Sequence, residues 1–488
     1  MSSLSLELGL GLLGLVLLLV ESFATVPRKL IAYAAIGGLL AALAALVSGL
    51  GNNVPQMLTE FYAVDSQALF YKGFAVIATL GTIILSLEYA PIINQFVGDQ
   101  KKTKEAGLGE FYSLPLFVCV GMMVMASAKD LITIFVALEL VTVSFYVLVG
   151  FMRRSAASLE AGVKYLILGA LSTGLLVYGM AWLYGMTGEL SLAGISQKLS
   201  HWEGNSTPLL FAAALVLAGL GFKVGAVPFH IWIPDVYQGA PTPITAFLSV
   251  GSKAAGFAVL TRVVETFLVR DSVIAGPVIN VLFVLGGATI LLGNFAAIPQ
   301  TNFKRLLGYS SIAHAGYLLI ALACTHTAGL RLTSGQIAAF YLATYLPMTF
   351  VCFLILSALR AKGQGEEISS LRGLGRSSPV LGLALAIALA SLAGLPLTAG
   401  FMGKFFVIFA TVLGGNYAYL AIAVIGAATG FYYYFKVILA IYSKPEGQTP
   451  DPATIHLGLL SKVTLSVLVA SILVIGVYPD LIRFALVK

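Results

Sequence analysis

Fourteen stretches of this chain are apolar over about 20 consecutive residues, the length an α-helix needs to cross a bilayer. They lie near residues 4–24, 29–50, 69–90, 111–128, 130–151, 160–184, 207–228, 241–264, 273–293, 304–324, 334–359, 379–410, 418–441 and 461–485. The runs are rich in Leu, Ala, Val and Gly and lack the period-two alternation of a barrel strand, so the helix is the spanning element they can form. An all-α polytopic membrane protein is the fold class expected. Only 10% of the 488 residues are charged, against about 25% in an ordinary soluble domain. The largest polar connections, near 91–110, 185–206 and 360–378, are too short to fold as a separate domain, so any redox cofactor is expected elsewhere. The first run has no basic residue before it and no small-residue cleavage site after it, and is expected to be a retained helix.

The net charge of +7 does not point to nucleic acid, because the basic residues are scattered among short loops instead of forming one stripe. Arg28, Lys29, Lys101, Lys102, Lys104, Arg153, Arg154, Lys304, Arg305, Arg360, Lys362, Arg372, Arg376, Lys444 and Lys462 follow odd-numbered runs, whereas the opposite loops offer few, such as Lys129, Lys198, Arg270 and Arg331. The positive-inside rule then puts the odd-to-even loops on the cytoplasmic side and both termini on the other. Cys119, Cys324 and Cys352 each stand alone in an apolar run, which argues for packing and against a disulfide framework or an iron-sulfur site.

Two runs are punctuated. In the seventh, Gly221-Phe-Lys-Val-Gly225 leads to Pro228, and the polar stretch from His230 to Thr245 contains Pro234, Pro241 and Pro243; in the twelfth, Ser391 to Lys404 contains Gly394, Pro396 and Gly400. Proline and glycine permit unwinding, which hydrocarbon tolerates only where protein or a water-filled cavity covers the freed backbone groups. The breaks sit five helices apart, and an odd offset gives the blocks of helices 4–8 and 9–13 opposite topology, the pattern of an inverted repeat. The organisation expected is residues 1–110 for helices 1–3, 111–264 and 273–441 for the two repeats, and 442–488 for helix 14. Glycine and proline are also simply common in membrane helices.

A charge at mid-bilayer costs about 2.5 to 3.5 kcal/mol, so an ionisable residue there is a functional candidate. Glu139, Lys223, Lys253, His314 and Lys404 fall in such positions. Glu139 and Lys253 are deep and have no sequence-local partner. Glu160 and Lys164 are four residues apart and form either part of the site or a surface pair. His314 has a second reading too, a hydrogen bond across a helix interface. Glu7, Glu21, Lys72, Glu88 and Lys436 lie nearer segment ends, where snorkelling suffices. Burial disfavours the charged form of an ionisable group and an opposite charge favours it, so moving one partner of a Glu139 with Lys223 pair would trigger proton transfer. Lys223, Lys253, His314 and Lys404, joined by water held on Tyr309, Ser310, Ser311 and Thr398, would form the relay.

The stretch Gly221-Phe-Lys-Val-Gly-Ala-Val-Pro-Phe-His230-Ile-Trp-Ile-Pro-Asp235-Val-Tyr-Gln-Gly-Ala-Pro-Thr-Pro243 resembles the antiporter-like membrane subunits of complex I, with the wording of their subunit N (subunit 2) branch. Lys304-Arg-Leu-Leu-Gly-Tyr-Ser-Ser-Ile-Ala-His314-Ala-Gly and Ser391-Leu-Ala-Gly-Leu-Pro-Leu-Thr-Ala-Gly-Phe-Met-Gly-Lys404 resemble it as well, and the likeness covers nearly the whole chain. Such subunits are related to Mrp-type sodium/proton antiporters. The resemblance implies Glu139 and Lys223 as a coupled pair, Lys253 as central relay, Lys404 as outlet-side residue, and a place for Glu160 and Lys164. It also implies a proton-translocating chain with no cofactor of its own, beside other membrane subunits of a complex that carries flavin or iron-sulfur clusters and binds quinone in neighbouring subunits. Phe247-Leu-Ser-Val-Gly-Ser-Lys-Ala-Ala-Gly-Phe-Ala-Val resembles the cyanobacterial and chloroplast version, so the membrane is bacterial or thylakoid and the donor NADH, NADPH or ferredoxin. Two rival readings stand beside it: a cation/proton antiporter, against which the shortage of deep carboxylates counts because sodium prefers carboxylate and carbonyl oxygens, and a structural scaffold of the membrane arm.

Overall fold

The computed structural model describes residues 4–24, 26–49, 58–97, 108–325, 332–444 and 455–487; Lys101, Lys102, Lys104 and Arg331 lie outside them. The described residues form α1 (Leu4–Phe23), α2 (Arg28–Val47), α3 (Ser66–Val97), α4 (Leu108–Ser127), α5 (Leu131–Val149), α6 (Ala156–Thr187), α7 (Leu192–Ser200), α8 (Thr207–Val224), α9 (Trp232–Gly239) and α10 (Thr242–Phe247). A π-helical turn, Leu248–Ser252, joins α10 to α11 (Lys253–Phe267). Then follow α12 (Ala275–Ala297), α13 (Phe303–Ala323), α14 (Ser334–Ala361), α15 (Leu374–Ser377), α16 (Pro379–Ala393), α17 (Ala399–Leu413), α18 (Tyr417–Tyr442), α19 (Leu459–Val477) and α20 (Asp480–Val487). Among the described residues, extended pairing is limited to isolated bridges such as Asp130 with Ser191.

Thirteen helical segments among the described residues are long and apolar enough to cross a membrane, counting Thr242–Phe267 as one. The expected run at 379–410 is instead the two 15-residue helices α16 and α17, each only about 22 Å long against a hydrocarbon core of about 30 Å. The helices start where the sequence supplies caps: Asp130, Ser155 and Asn302 accept the backbone N–H of Thr133, Ser158 and Arg305, and Thr333 with Gln336 makes a reciprocal box at α14. These contacts satisfy amides that a helix start leaves open.

Packing sorts the helices into a centre and a shell. Segments Thr242–Phe267, α13 and α14 are 94% or more buried over their most apolar windows, while α1, α2, α6 and α19 are buried over a third or less. The shell exposes large apolar side chains, among them Leu8, Leu12, Leu15, Ile167, Leu171 and Leu439, the surface a bilayer would cover. The centre is where serines, threonines, tyrosines and lysines gather, and the three free cysteines are buried.

Candidate functional site

Lys223, Lys253 and Lys404 are each held by neutral oxygens. Lys223 sits one residue before the end of α8, which stops at Gly225 in the left-handed region (φ 80°). Its Nζ donates to Thr142 Oγ1 at 2.5 Å. Glu139 lies three residues earlier on α5, so it is displaced by about 4.5 Å along the axis on the same side. The Glu139 carboxylate accepts from Thr173 Oγ1 on α6 at 2.8 Å and is half-buried. Among the described residues no direct ion pair joins it to Lys223; the two groups are held on adjacent turns by separate threonines.

Lys253 follows the π-helical turn. A π-turn shifts the helix face by widening the hydrogen-bond ladder, a feature that recurs at functional positions. Here it coincides with the aiming of Lys253 at α13, where Nζ donates to the Ser311 carbonyl and, at 2.5 Å, to Ser311 Oγ. Ser311 in turn lies 3.3 Å from the Tyr237 hydroxyl and 3.5 Å from Ser249 Oγ, which is 2.9 Å from the Tyr345 hydroxyl. One turn further along α13, His314 Nδ1 is 2.6 Å from the Tyr341 hydroxyl and Nε2 is 3.2 Å from the Tyr434 hydroxyl, which also bonds Ser310. His314 therefore does hydrogen-bond across helix interfaces, and does so within a cluster of hydroxyls adjoining Lys253.

Lys404 on α17 closes the far end. Its Nζ donates to the carbonyls of Leu392 and Ala393 at 2.9 and 2.7 Å, placing a cation on the negative C-terminal end of α16. Gly394 ends α16 with φ 97°, and a Cβ there would come within 3.1 Å of Lys404 Cδ. Gly400 is needed for a different reason: a Cβ would stand 1.8 Å from the Ser391 carbonyl oxygen. The sequence pattern Ser391 to Lys404 is thus a compact turn whose glycines make room for the lysine and its carbonyl seat.

Not every expected contributor joins this group. Thr398 Oγ1 bonds the Leu395 carbonyl, and Tyr309 lies under the Arg305 guanidinium, 6.0 Å away. Glu160 and Lys164 do form the surface pair, at 2.7 Å, and Lys164 is also 2.7 Å from Asp235 of α9, which Arg305 holds at 2.6 Å. Lys304, read from sequence as a loop cation, is buried and donates to the Ala240 carbonyl at 2.7 Å, with Glu366 at 3.3 Å. Snorkelling fails for three residues: Lys72 is 3.0 Å from Glu7 and Arg28 is 2.9 Å from Glu21, with Glu7, Glu21 and Lys72 all buried. Lys436 is exposed, and Glu88 accepts the Gly458 amide.

Sequence reading missed Thr142, Thr173, Tyr341, Tyr434 and the role of Asp235 as a bridge. Thr142 had a signal, its position three residues after Glu139. The tyrosines had none, because α14 and α18 meet α13 only in three dimensions.

Residues 128–430 match the family described as the transmembrane region of NADH:quinone oxidoreductase and Mrp antiporters. The chain belongs to this family of membrane subunits, and it is an integral membrane protein. It is 40% identical over 484 residues to NADH-quinone oxidoreductase subunit N of Trichlorobacter lovleyi, covering 98% of this chain and 94% of that one. To subunit N of Rhodospirillum rubrum it is 39% identical, covering 95% and 90%. A chain of respiratory complex I from Thermus thermophilus with bound aureothin superposes with a TM-score of 0.80 at 33% identity over 99% of both chains. A chain of the Mrp complex from a Dietzia species shares the fold, with a TM-score of 0.81 at 22% identity over 99% of this chain and 96% of that one.

Proposed function

We propose that this chain is a proton-translocating, non-redox subunit in the membrane arm of a complex I-type quinone oxidoreductase, and that protons cross it by way of Glu139, Lys223, Lys253, His314 and Lys404. The observation that carries the reading is the seating of three lysines, each buried among hydroxyls and carbonyls with no carboxylate within ion-pair distance among the described residues. A proton arriving at or leaving such a lysine changes the local charge by a full unit, so its occupancy responds to charges moved nearby and to the transmembrane potential, worth about 2.3 kcal/mol per charge per 100 mV. Tyr237, Ser249, Ser311, Tyr341, Tyr345 and Tyr434 supply hydroxyls that donate and accept at once, as transfer between Lys253 and His314 requires.

The helix ends support two inverted five-helix repeats. The first repeat's break follows Lys223 at Gly225, the second's precedes Lys404 at Gly394, and each glycine is left-handed. Glu160 and Lys164 stand at the end of α6 that the positive-inside rule assigns to the cytoplasmic side, with both termini on the outer side of a bacterial cytoplasmic or thylakoid membrane. Flavin, iron-sulfur clusters and quinone belong to neighbouring subunits, whose redox change would switch Glu139 and Lys223 by moving their threonine-held side chains together or apart.

The test is Lys253→Met in the reconstituted parent complex, with quinone reduction and proton pumping recorded together. Pumping is expected to fall by about tenfold or more, because methionine carries no exchangeable proton. An unchanged proton yield sinks the relay. Sodium flux in vesicles without a redox partner would revive the antiporter reading, and failed assembly with normal pumping in the assembled remainder would favour a scaffold.

A further inference from the structure

A second set of buried ionisable groups lies in the N-terminal helices and takes no part in the route above. Glu7 on α1 is 1% exposed, Lys72 on α3 is 0% exposed, and Tyr62, from the short segment before α3, is 5% exposed. The Tyr62 hydroxyl donates to Glu7 Oε1 and accepts from Lys72 Nζ at 2.5 Å, with the ammonium 3.0 Å from the same Oε1 and 4.4 Å above the tyrosine ring. We propose that these three residues form a second proton-exchange site, in which the Tyr62 hydroxyl passes a proton between Lys72 and Glu7.

Three observations carry this. Glu7 is under-satisfied as a carboxylate: both contacts named above fall on Oε1, while the buried Oε2 has no hydrogen-bond partner among the described residues. A buried charge with half its acceptors empty is costly, and protonation removes that cost. The hydroxyl is also directed correctly, since it receives from nitrogen and gives to oxygen, and so bridges the two groups. In the transfer the Tyr62 O–H bond breaks as an O–H bond forms on Glu7 Oε1. One Lys72 N–H bond breaks as the Tyr62 O–H bond is remade. Both charges vanish, and no further reactant is needed. Finally, the site sits just under one face of the protein: Thr59, Glu60 and Phe61, immediately before Tyr62, are exposed. Asp65 and Arg262 are further charges that bear on Lys72, and the Glu7 charge bears on Cys119 of α4.

The consequence is a joint with two states. In the ionic form α1 and α3 are held by Coulomb attraction, and in the neutral form by hydrogen bonds alone. It does not depend on the pumping route.

The experiment is infrared spectroscopy of the intact parent complex. The wild-type minus Glu7→Gln difference is expected to contain a protonated-carboxyl C=O band that shifts down in D2O. Carboxylate bands alone, at every pH at which the complex stays assembled, would overturn the proposal and leave a fixed ion pair. Tyr62→Phe keeps both end groups and is expected to slow deuterium uptake by that band by about tenfold or more; unchanged exchange removes the bridge and overturns it too. Should Glu7→Gln fail to assemble, Tyr62→Phe decides alone: an altered carboxyl band supports the site, and a spectrum identical to wild type refutes it.

Discussion

Lys72 in the N-terminal helices and Lys253 in the centre are both buried, yet their surroundings differ in kind. Lys72 faces a carboxylate, and a proton moving within its pocket leaves the net charge at zero. Lys253 faces a serine carbonyl and hydroxyl, and a proton moving to or from it creates or removes a full charge. The first arrangement is insulated from charges elsewhere in the protein, while the second is sensitive to them. A chain that must couple distant events to proton movement needs the second kind along the route and can use the first kind to fasten peripheral helices. Lys223 and Lys404 follow Lys253 in this respect; Arg28 with Glu21 follows Lys72, so that α1 is tied by an ion pair near each end.

The comparison is broken most directly by removing one partner of the N-terminal pair. Glu7→Leu takes the ion-pair carboxylate away from the buried Lys72 ammonium, and the loss expected is about 3–5 kcal/mol, whereas Glu7→Leu with Lys72→Met removes both charges and is expected to recover most of it. Thermal unfolding of the detergent-solubilised complex, or the fraction of chain assembled in membranes, reads the difference. A double variant as damaged as the single one would show that the pair is not acting as a pair.

In the centre, where the lysine seat is built from backbone, the sharper probe is glycine. Gly394→Ala puts a side chain at φ 97° and 3.1 Å from Lys404 Cδ. The left-handed backbone alone costs about 1–2 kcal/mol, and displacing Lys404 from the α16 carbonyls should lower pumping beyond that. Pumping per quinone reduced is the measurement, because a merely destabilised chain that assembles would keep the wild-type ratio.

What the sequence made legible follows the range of the interactions. Spans and the two glycine-proline interruptions are local, and the structure has helices ending at Val224 and Ala393 where the punctuation falls. The charged residues stood out because their hydrocarbon context is itself local. Their partners did not, because Lys223 meets Thr142 across 81 residues and Tyr62 meets Glu7 across 55. Nearness to the helix ends suggests snorkelling for Glu7 and Glu21, yet both lie on the buried stripe of α1 with Leu10, Gly14 and Leu17. That spacing of three and four residues placed them inward, and it outweighs distance from the helix end. The π-helical turn before Lys253 had no readable signature in Leu248–Ser252.

The smallest effect is expected at the joint between the two regions. Arg262 of α11 makes a two-bond contact with Asp65, at 3.0 and 2.9 Å, and also holds the Ala126 carbonyl, so one guanidinium links α11, the start of α3 and the end of α4. Burial works to raise the Asp65 carboxyl, but the hydrogen bonds and charge of Arg262 outweigh it, with help from the Ala68 amide, and hold Asp65 below the usual carboxylate range. A carboxyl depressed on folding contributes stability above its unfolded value of about 3.9, and that contribution is lost as pH falls through the lower folded value. Because the Asp65 side chain is 47% exposed, solvent screens the pair, and Asp65→Asn is expected to cost no more than about 1 kcal/mol near neutral pH. The unfolding midpoints of wild type and variant should therefore differ slightly at neutral pH and converge in acid. A difference that persists in acid would mean that Asp65 acts through its shape and hydrogen bonds, and that the joint between the N-terminal helices and the centre is not electrostatic.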